Sequence, residues 1–347
     1  MRVLLVSPLP PPSGGLATWT KDLVAAAPRA GLDTEVVNTA LIGARTKLSS
    51  KKMRMIDELL RTHSIFQNLK RILKNGTYDA VHINTVCSVK GMIRDLLCVM
   101  MCKKHPVVLQ CHCNVEDWIG TNRMGKWLLT QLVKRASRVL VLNTRSQKTI
   151  FSITGKDSLV MPNFIDFSPE KPKAAIRDDI RNVIYVGRVR IEKGIAELLQ
   201  MAALYPNICF TVIGSVDEEA QELERPANVA FLGEQEHGYI AEALAKADVF
   251  LFPSHSEGFS IALLEAMAAG LPVVATDVGA NRDMLEQKGG ILVSVQAPKE
   301  IAAAIAQMES KEVRTAMARF NRDKVATRYS TEAVLKKLVE VYAAVKQ

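Results

Sequence analysis

Twelve short apolar or β-branched runs, each too brief for a helix, recur at residues 2–6, 34–38, 80–84, 107–111, 138–142 and 159–162, and again at 183–186, 208–213, 229–232, 249–252, 273–276 and 291–293. Between them lie amphipathic stretches of helical period, such as 17–30, 86–102 and 124–136. Parallel strands need crossover connections, and these crossovers are helical, so each set of six is expected to form a doubly wound parallel sheet with helices on both faces. The alternation lapses at 166–180, where Pro169, Pro172 and several charges interrupt it. That segment is read as a linker between a first α/β domain, 1–165, and a second, 181–325. Helices are expected at 298–308, 311–328 and 331–345, and the last piece, 326–347, is expected to pack back on the first domain. A length of 347 residues suits two domains that each bury a core.

The first apolar run is cut by Pro8, Pro10, Pro11 and Pro12, too early for the core of a secretion signal, and no apolar stretch approaches about 18 residues. Neither a signal peptide nor a membrane-spanning helix is expected. Cysteines 87, 98, 102, 111, 113 and 209 are then read as buried, reduced thiols in a cytosol. The Cys111-His112-Cys113 triplet matches none of the usual two-pair zinc spacings, so no metal is expected.

Charge is uneven along the chain. Residues 1–165 carry 24 Lys and Arg against 10 Asp and Glu, and the remaining 182 carry 21 against 26. The first half is therefore expected to meet something anionic. Its densest stretch, 45–74, ends with Ile65, Phe66, Leu69, Ile72 and Leu73 on one helical stripe beside cations. Two readings stand: a helix lying on an anionic membrane surface, or a core-facing helix with a solvated basic back. Nucleic acid is not expected, given 5% aromatics and no recognition motif.

In open α/β sheets ligands bind at the carboxyl ends of the strands, and the distinctive loops here fall at such ends. After the first strand comes Pro12-Ser13-Gly14-Gly15, which would let backbone amides approach a phosphate; it is neither the dinucleotide nor the P-loop motif. His112 follows the fourth strand, a place where histidine is more often a satisfied core or surface residue. After the first strand of the second domain, Gly187-Arg188-Val189-Arg190-Ile191-Glu192-Lys193-Gly194 offers two to three cations for a diphosphate, or else a solvated charged loop. Residues 253–279 hold turn chemistry up to Gly258, a helix from Ser260 to Ala269 ended by Gly270 and Pro272, and a strand. Glu257 is placed before that helix and Glu265 on its second turn. On one helix they would stand about 12 Å apart at about 1.5 Å per residue, beyond the roughly 5 to 9.5 Å of a glycosidase pair, so each is expected to hold a different part of an elongated ligand.

Residues 187–194, the stretch ADVFLFPSHSEGFSIALLEAMAAGLPVVATDVGA and VMPNFID at the domain junction resemble the retaining glycosyltransferases of family 4, group 1, which have the GT-B fold. The resemblance covers the second domain nearly end to end and the first more loosely. It implies two Rossmann-like domains facing across a cleft, a nucleotide diphosphate sugar (UDP- or GDP-sugar) as donor co-substrate, and no cofactor or metal. Residue by residue, it implies catalytic roles for His112, Arg188, Lys193 and Glu257. Arg188 and Lys193 would hold the diphosphate, Glu257 the sugar hydroxyls and Glu265 the ribose. Gly14, Gly15, Asn163, Gly187, Gly214, Gly258, Phe259, Ser260 and Ile261 would complete the donor site. Cys113 stands where glycine or aspartate is common, Ser260 where glycine often follows, Ser215-Val216 where a glycine-rich turn is usual, and 278–283 replace a frequent GGxPE; these bear on donor specificity. The implied function is transfer of a sugar to an acceptor hydroxyl by a cytoplasmic protein; a glycan or lipid-linked acceptor of the cell envelope and a place peripheral to the inner face of the plasma membrane are expected from the basic first half. A sugar-nucleotide epimerase on the same fold and a non-catalytic partner subunit are the alternatives.

Overall fold

Both sets of strands form all-parallel sheets in the computed structural model, which describes residues 1–11, 14–40, 51–170 and 174–346, the side chains of 51–57 and 59 aside. Two compact units divide the chain: Met1–Asn163 with Val334–Gln347, and Phe164–Ala333. In the first, β1 (Arg2–Ser7), β2 (Asp33–Asn38), β3 (Ala80–Thr85), β4 (Val107–Cys111), β5 (Arg138–Val141) and β6 (Leu159–Val160) lie in the order β2-β1-β3-β4-β5-β6. Its helices are α1 (Gly15–Ala26), α2 (Lys51–Asn75), α3 (Val89–Met101), α4 (Val115–Ile119), α5 (Arg123–Arg135) and α6 (Thr144–Thr154). Every residue of β3 and β4 is buried, which is why these strands read as continuous runs rather than alternating ones.

In the second unit β7 (Asn182–Val186), β8 (Cys209–Ile213), β9 (Val229–Phe231), β10 (Val249–Phe252), β11 (Val273–Thr276) and β12 (Gly290–Val293) take the order β12-β11-β10-β7-β8-β9. Helices α7 (Ile195–Leu204), α8 (Glu218–Gln221), α9 (His237–Lys246), α10 (Ile261–Ala268), α11 (Asn281–Leu285), α12 (Pro298–Gln307) and α13 (Lys311–Lys324) surround it. The final helix, α14 (Thr331–Lys346), belongs to the first unit from Val334 onward. There Tyr342 meets His82 of β3, with 2.6 Å between the hydroxyl and Nδ1, and Lys346 pairs with Asp79 at 2.9 Å.

Local chemistry moves several helix ends from their expected places. The helix expected at 86 starts only at Val89, because Ser88 caps it by accepting from Gly91 N at 3.2 Å. α1 starts earlier than expected, at Gly15, and gives way at Ala27 to a 3-10 turn that contains Pro28 and closes on Gly31. The helix expected over 311–328 ends at Lys324 and continues as a single π turn, Val325–Tyr329. Residues 174–180, within the segment read as a linker, are bonded into the second unit: Ala174 N donates to Ala269 O, and Arg177 pairs with buried Asp248 at 2.8 Å. Residues 171–173 lie outside the described residues.

The stripe on 65–73 faces the core. Ile65, Leu69 and Ile72 are buried in a cluster with Leu4, Val6, Ile83, Leu109 and Val141, and Phe66 and Leu73 pack against it. This overturns the membrane reading of that stripe, since its apolar side is consumed inside the unit. The segment's beginning, 45–50, and the side chains of 51–57 lie outside the described residues. No helix among the described residues is long and apolar enough to cross a membrane. Five cysteines are buried as expected, and burial pushes the Cys98 and Cys102 thiols up to about 12; Cys209, at the first position of β8, is exposed instead.

Burial holds His82 down to about 3 against an ordinary 6.5. Below pH 6.5 the unfolded chain takes up a proton that the folded chain refuses, so stability is full above that pH and falls as pH drops, by about 1.4 kcal/mol per unit for such a group. Urea unfolding at pH 7.5 and 5.5 should show this loss, and it should shrink in His82→Gln.

Candidate functional site

The strand order of the second unit reverses between β7 and β10, and at that switch the crevice opens beyond the strand ends. The loop after β7 carries Gly187 to Gly194, and the loop after β10 carries Pro253 to Ser260. Three contacts tie them together. His255 N donates to Glu192 O at 2.9 Å, and Lys193 Nζ stands 2.6 Å from Glu257 Oε1 while donating to Ser256 O at 3.2 Å. An ammonium has three hydrogens, so one remains for a ligand. Arg188 is exposed and its guanidinium has no partner among the described residues, whereas Arg190 is taken up by Asp217 at 2.8 Å. The loop thus offers an anion Arg188 and Lys193 rather than three cations.

The rest of the second-unit set is built around these loops. Gly187 N donates to Ile213 O at 2.9 Å, and Gly214 N to Gly233 O at 2.8 Å, which sets the two glycine turns side by side. Buried Tyr185 donates its hydroxyl to Arg188 O at 2.9 Å; burial and then the charge of Glu257 push its phenol up, so the hydroxyl stays a donor. Ser260 caps α10 by accepting from Leu263 N at 3.1 Å, leaving the Ile261 and Ala262 amides without intrahelical partners. Gly258 O accepts from Ala280 N at 3.1 Å. Glu265 lies on the second turn of α10, its Oε1 3.5 Å from Nδ1 of His237 at the start of α9. Phe259 departs from expectation: its ring is buried edge-on against Tyr329, centroids 5.7 Å apart, so only its backbone is offered to a ligand.

Two glycines let the loops meet. At Gly194, with φ 76°, an added Cβ would lie 2.1 Å from Pro253 O, and at Gly279, with φ 51°, it would lie 1.9 Å from Glu257 O. Sequence reasoning missed this brace, and it missed the buried Glu197, whose Oε1 sits 2.8 Å from His255 Nε2 and steadies the loop that carries Glu257. The histidine inside the 253–260 loop and the acid one helical turn past Gly194 were the only signals.

His112, Gly14, Gly15 and Asn163 belong to the first unit, whose strand order reverses between β1 and β3. Ser7 ends β1 and accepts from Asn84 Nδ2 of β3 at 2.9 Å. Asn84 Oδ1 therefore faces His112, just past β4, with Nε2 at 3.0 Å. With that amide orientation Nε2 carries the proton and Nδ1 keeps its lone pair. Burial, and after it His82, holds the imidazole well below its ordinary value, and the indole of Trp19 stands edge-on at 4.6 Å. His112 is a neutral acceptor, not a stored acid. Gly14 and Gly15 are exposed at the start of α1, with open space where a Cβ would stand; Pro12 and Ser13 lie outside the described residues. Asn163 is buried with its Oδ1 unbonded.

Residues 166–324 match the family Glycosyl transferases group 1, and residues 13–168 match Glycosyltransferase Family 4. The chain belongs to the group 1 glycosyltransferases. A putative teichuronic acid biosynthesis glycosyltransferase, TuaC, of Bacillus subtilis is 30% identical over 192 residues, 52% of this chain and 49% of that one. The chain thus spans about half the length of that relative. The phosphatidyl-myo-inositol mannosyltransferase of Mycolicibacterium smegmatis is 26% identical over 80% of this chain and 74% of its own. Among solved structures, Anabaena HepE in complex with UDP and glucose superposes with a TM-score of 0.71 at 18% identity, over 99% of this chain and 100% of that one. That likeness concerns the fold, which is GT-B with two Rossmann-like domains.

Gly279→Ala should displace Glu257 as well as strain the backbone, whereas Gly233→Ala, at φ 66° with open space around it, should cost only the backbone strain of about 1 kcal/mol. Thermal unfolding of both variants should show the larger loss in Gly279→Ala.

Proposed function

We propose that this glycosyltransferase moves a sugar from a nucleotide diphosphate sugar to an acceptor hydroxyl with retention at the anomeric carbon and without a metal ion. The observation that carries the reading is the Lys193–Glu257 pair at the β7/β10 switch, with Arg188 unpaired beside it. In the transfer the bond from C1 to the diphosphate oxygen breaks, the acceptor oxygen bonds to C1 on the same face, and the acceptor proton passes to the departing phosphate. Negative charge grows on the diphosphate, so Arg188, the third hydrogen of Lys193 and the first amides of α10 favour the transition state over the ground state. Glu257 spends Oε1 on Lys193 and keeps Oε2 to accept a sugar hydroxyl. Glu265 takes the ribose. The neutral His112 offers Nδ1 as an acceptor to the sugar, which suits a reaction whose proton is carried by the leaving group.

The names of the relatives support an envelope or lipid-linked acceptor: one concerns teichuronic acid biosynthesis, the other mannosyl transfer to phosphatidyl-myo-inositol. The Anabaena structure, with UDP and glucose, supports a nucleotide diphosphate sugar donor. An acceptor of that kind and the cationic first half favour a cytoplasmic protein held at the inner face of the plasma membrane.

A thermal-shift screen against UDP, GDP, ADP and CMP and their sugar conjugates tests the donor. A ligand at 100 times its Kd should add about 2.7 kcal/mol, and the shift should survive EDTA. Lys193→Ala should lower kcat/KM by about 10² to 10³, and Arg188→Lys should also lower it, because the forked contact to phosphate is lost. A shift that vanishes with EDTA overturns the metal-free reading, and the absence of a shift with any nucleotide overturns the donor assignment.

A further inference from the structure

The first unit carries an apolar surface that its own core does not explain. α3 packs on the sheet through Met92, Asp95, Cys98 and Val99, yet Ile93, Leu97 and Met100, one to two turns apart on the opposite side, keep 43 to 47% of their surface exposed. Residues at 93, 97 and 100 form one stripe about 10 Å long, at about 1.5 Å per residue. α5 lies against α3 on the same side of the sheet and repeats the arrangement: Leu128, Leu129, Leu132 and Val133 face inward, while Met124 and Trp127 are more than half exposed. α4 leads into α5, with Asn122 N bonded to Ile119 O, and presents Trp118, 55% exposed. Two of the three tryptophans of the chain are thus displayed to solvent on one helical layer, and the third, Trp19, is buried.

Cations frame this layer. Lys90 and Lys104 stand one turn beyond either end of the α3 stripe, and Arg123 and Lys126 flank Met124 and Trp127 on α5, all exposed. Residues 89–135 contain eight Lys and Arg against three acids: Asp95 is buried and bonded by Arg94, and Glu116 and Asp117 sit beside Trp118. We propose that the outward face of α3 and α5, with Trp118, docks on the surface of an anionic bilayer. This names the surface for the membrane placement proposed above, and it replaces the 65–73 stripe, which the core has used.

The chemistry selects lipid over protein. Apolar side chains framed by lysines can enter the boundary of headgroups and acyl chains to about 5–10 Å while the ammonium groups stay with the phosphates, and tryptophan is at home at that depth. Each cation near such a surface adds roughly 1 kcal/mol of attraction. Protein interfaces are depleted in lysine at their centre, and a second copy of the same face would set cation against cation.

The test uses the full chain and vesicles of phosphatidylcholine with or without phosphatidylglycerol. Co-sedimentation should be strong with phosphatidylglycerol, weak without it and reduced by salt, and tryptophan emission should shift to the blue on binding. A Leu97→Glu/Trp127→Glu double variant, both sites exposed, should fold with an unchanged Tm and bind at least tenfold more weakly. Leu204→Glu, an exposed leucine of the second unit, should bind as wild type. Equal binding to both vesicle types, undiminished binding by the double variant, or a concentration-dependent dimer lost in that variant with no vesicle binding would overturn the proposal. The nucleotide thermal shift is read on the same proteins. If the shift persists when vesicle binding fails, the docking face is refuted and the donor reading stands.

Discussion

Parallel pairing is the constraint from which the rest of the structure follows. A parallel strand cannot return through a tight turn, so each strand here is followed by a crossover, usually a helix, and every loop that leaves a carboxyl end opens on the same edge of its sheet. Reversal of strand order parts two neighbouring loops and leaves a crevice between them. In the second unit that happens at β7 and β10, and the loops that meet there carry Arg188, Lys193 and Glu257. In the first unit it happens at β1 and β3, where Ser7, Asn84 and His112 form their chain of hydrogen bonds.

The two edges differ in electrostatic character. The second-unit edge is ionic, with an exposed guanidinium and a paired ammonium that can receive an anion without being buried first. The first-unit edge is neutral, because burial keeps His82 and His112 uncharged and the hydrogen-bond chain fixes which ring nitrogen of His112 accepts.

Much of this was legible in the residues. The twelve strands were readable because buried parallel strands are unbroken apolar runs, and the helix start at Ser260 because a hydroxyl ahead of a run of helix formers favours a helix N-terminus. Arg188, Lys193, Glu257 and Glu265 stood out in the sequence because they fall in two motifs that resemble those of a known family, and their role as a donor site is the proposal made above. The buried ring of Phe259, the capture of Arg190 by Asp217 and the Glu197–His255 brace were not readable, since each depends on a partner from another element. The stripe on 65–73 shows the same limit from the other side: period alone separates apolar from polar faces but cannot say what covers the apolar one.

By itself the sequence determined the fold class, the two-sheet division, the strand positions and the residue types of the site, because these rest on local period, backbone preference and short-range spacing. Tertiary structure alone decided which loops meet, which charges are already paired and which apolar faces remain uncovered. The return of the last helix to the first unit was expected, but the bond that holds it there, Tyr342 on His82, was decided by the tertiary structure. The physical reason is that pairing and burial are properties of contacts far apart in the chain. His82 and Tyr342 are 260 residues apart, and no local pattern encodes the bond between them.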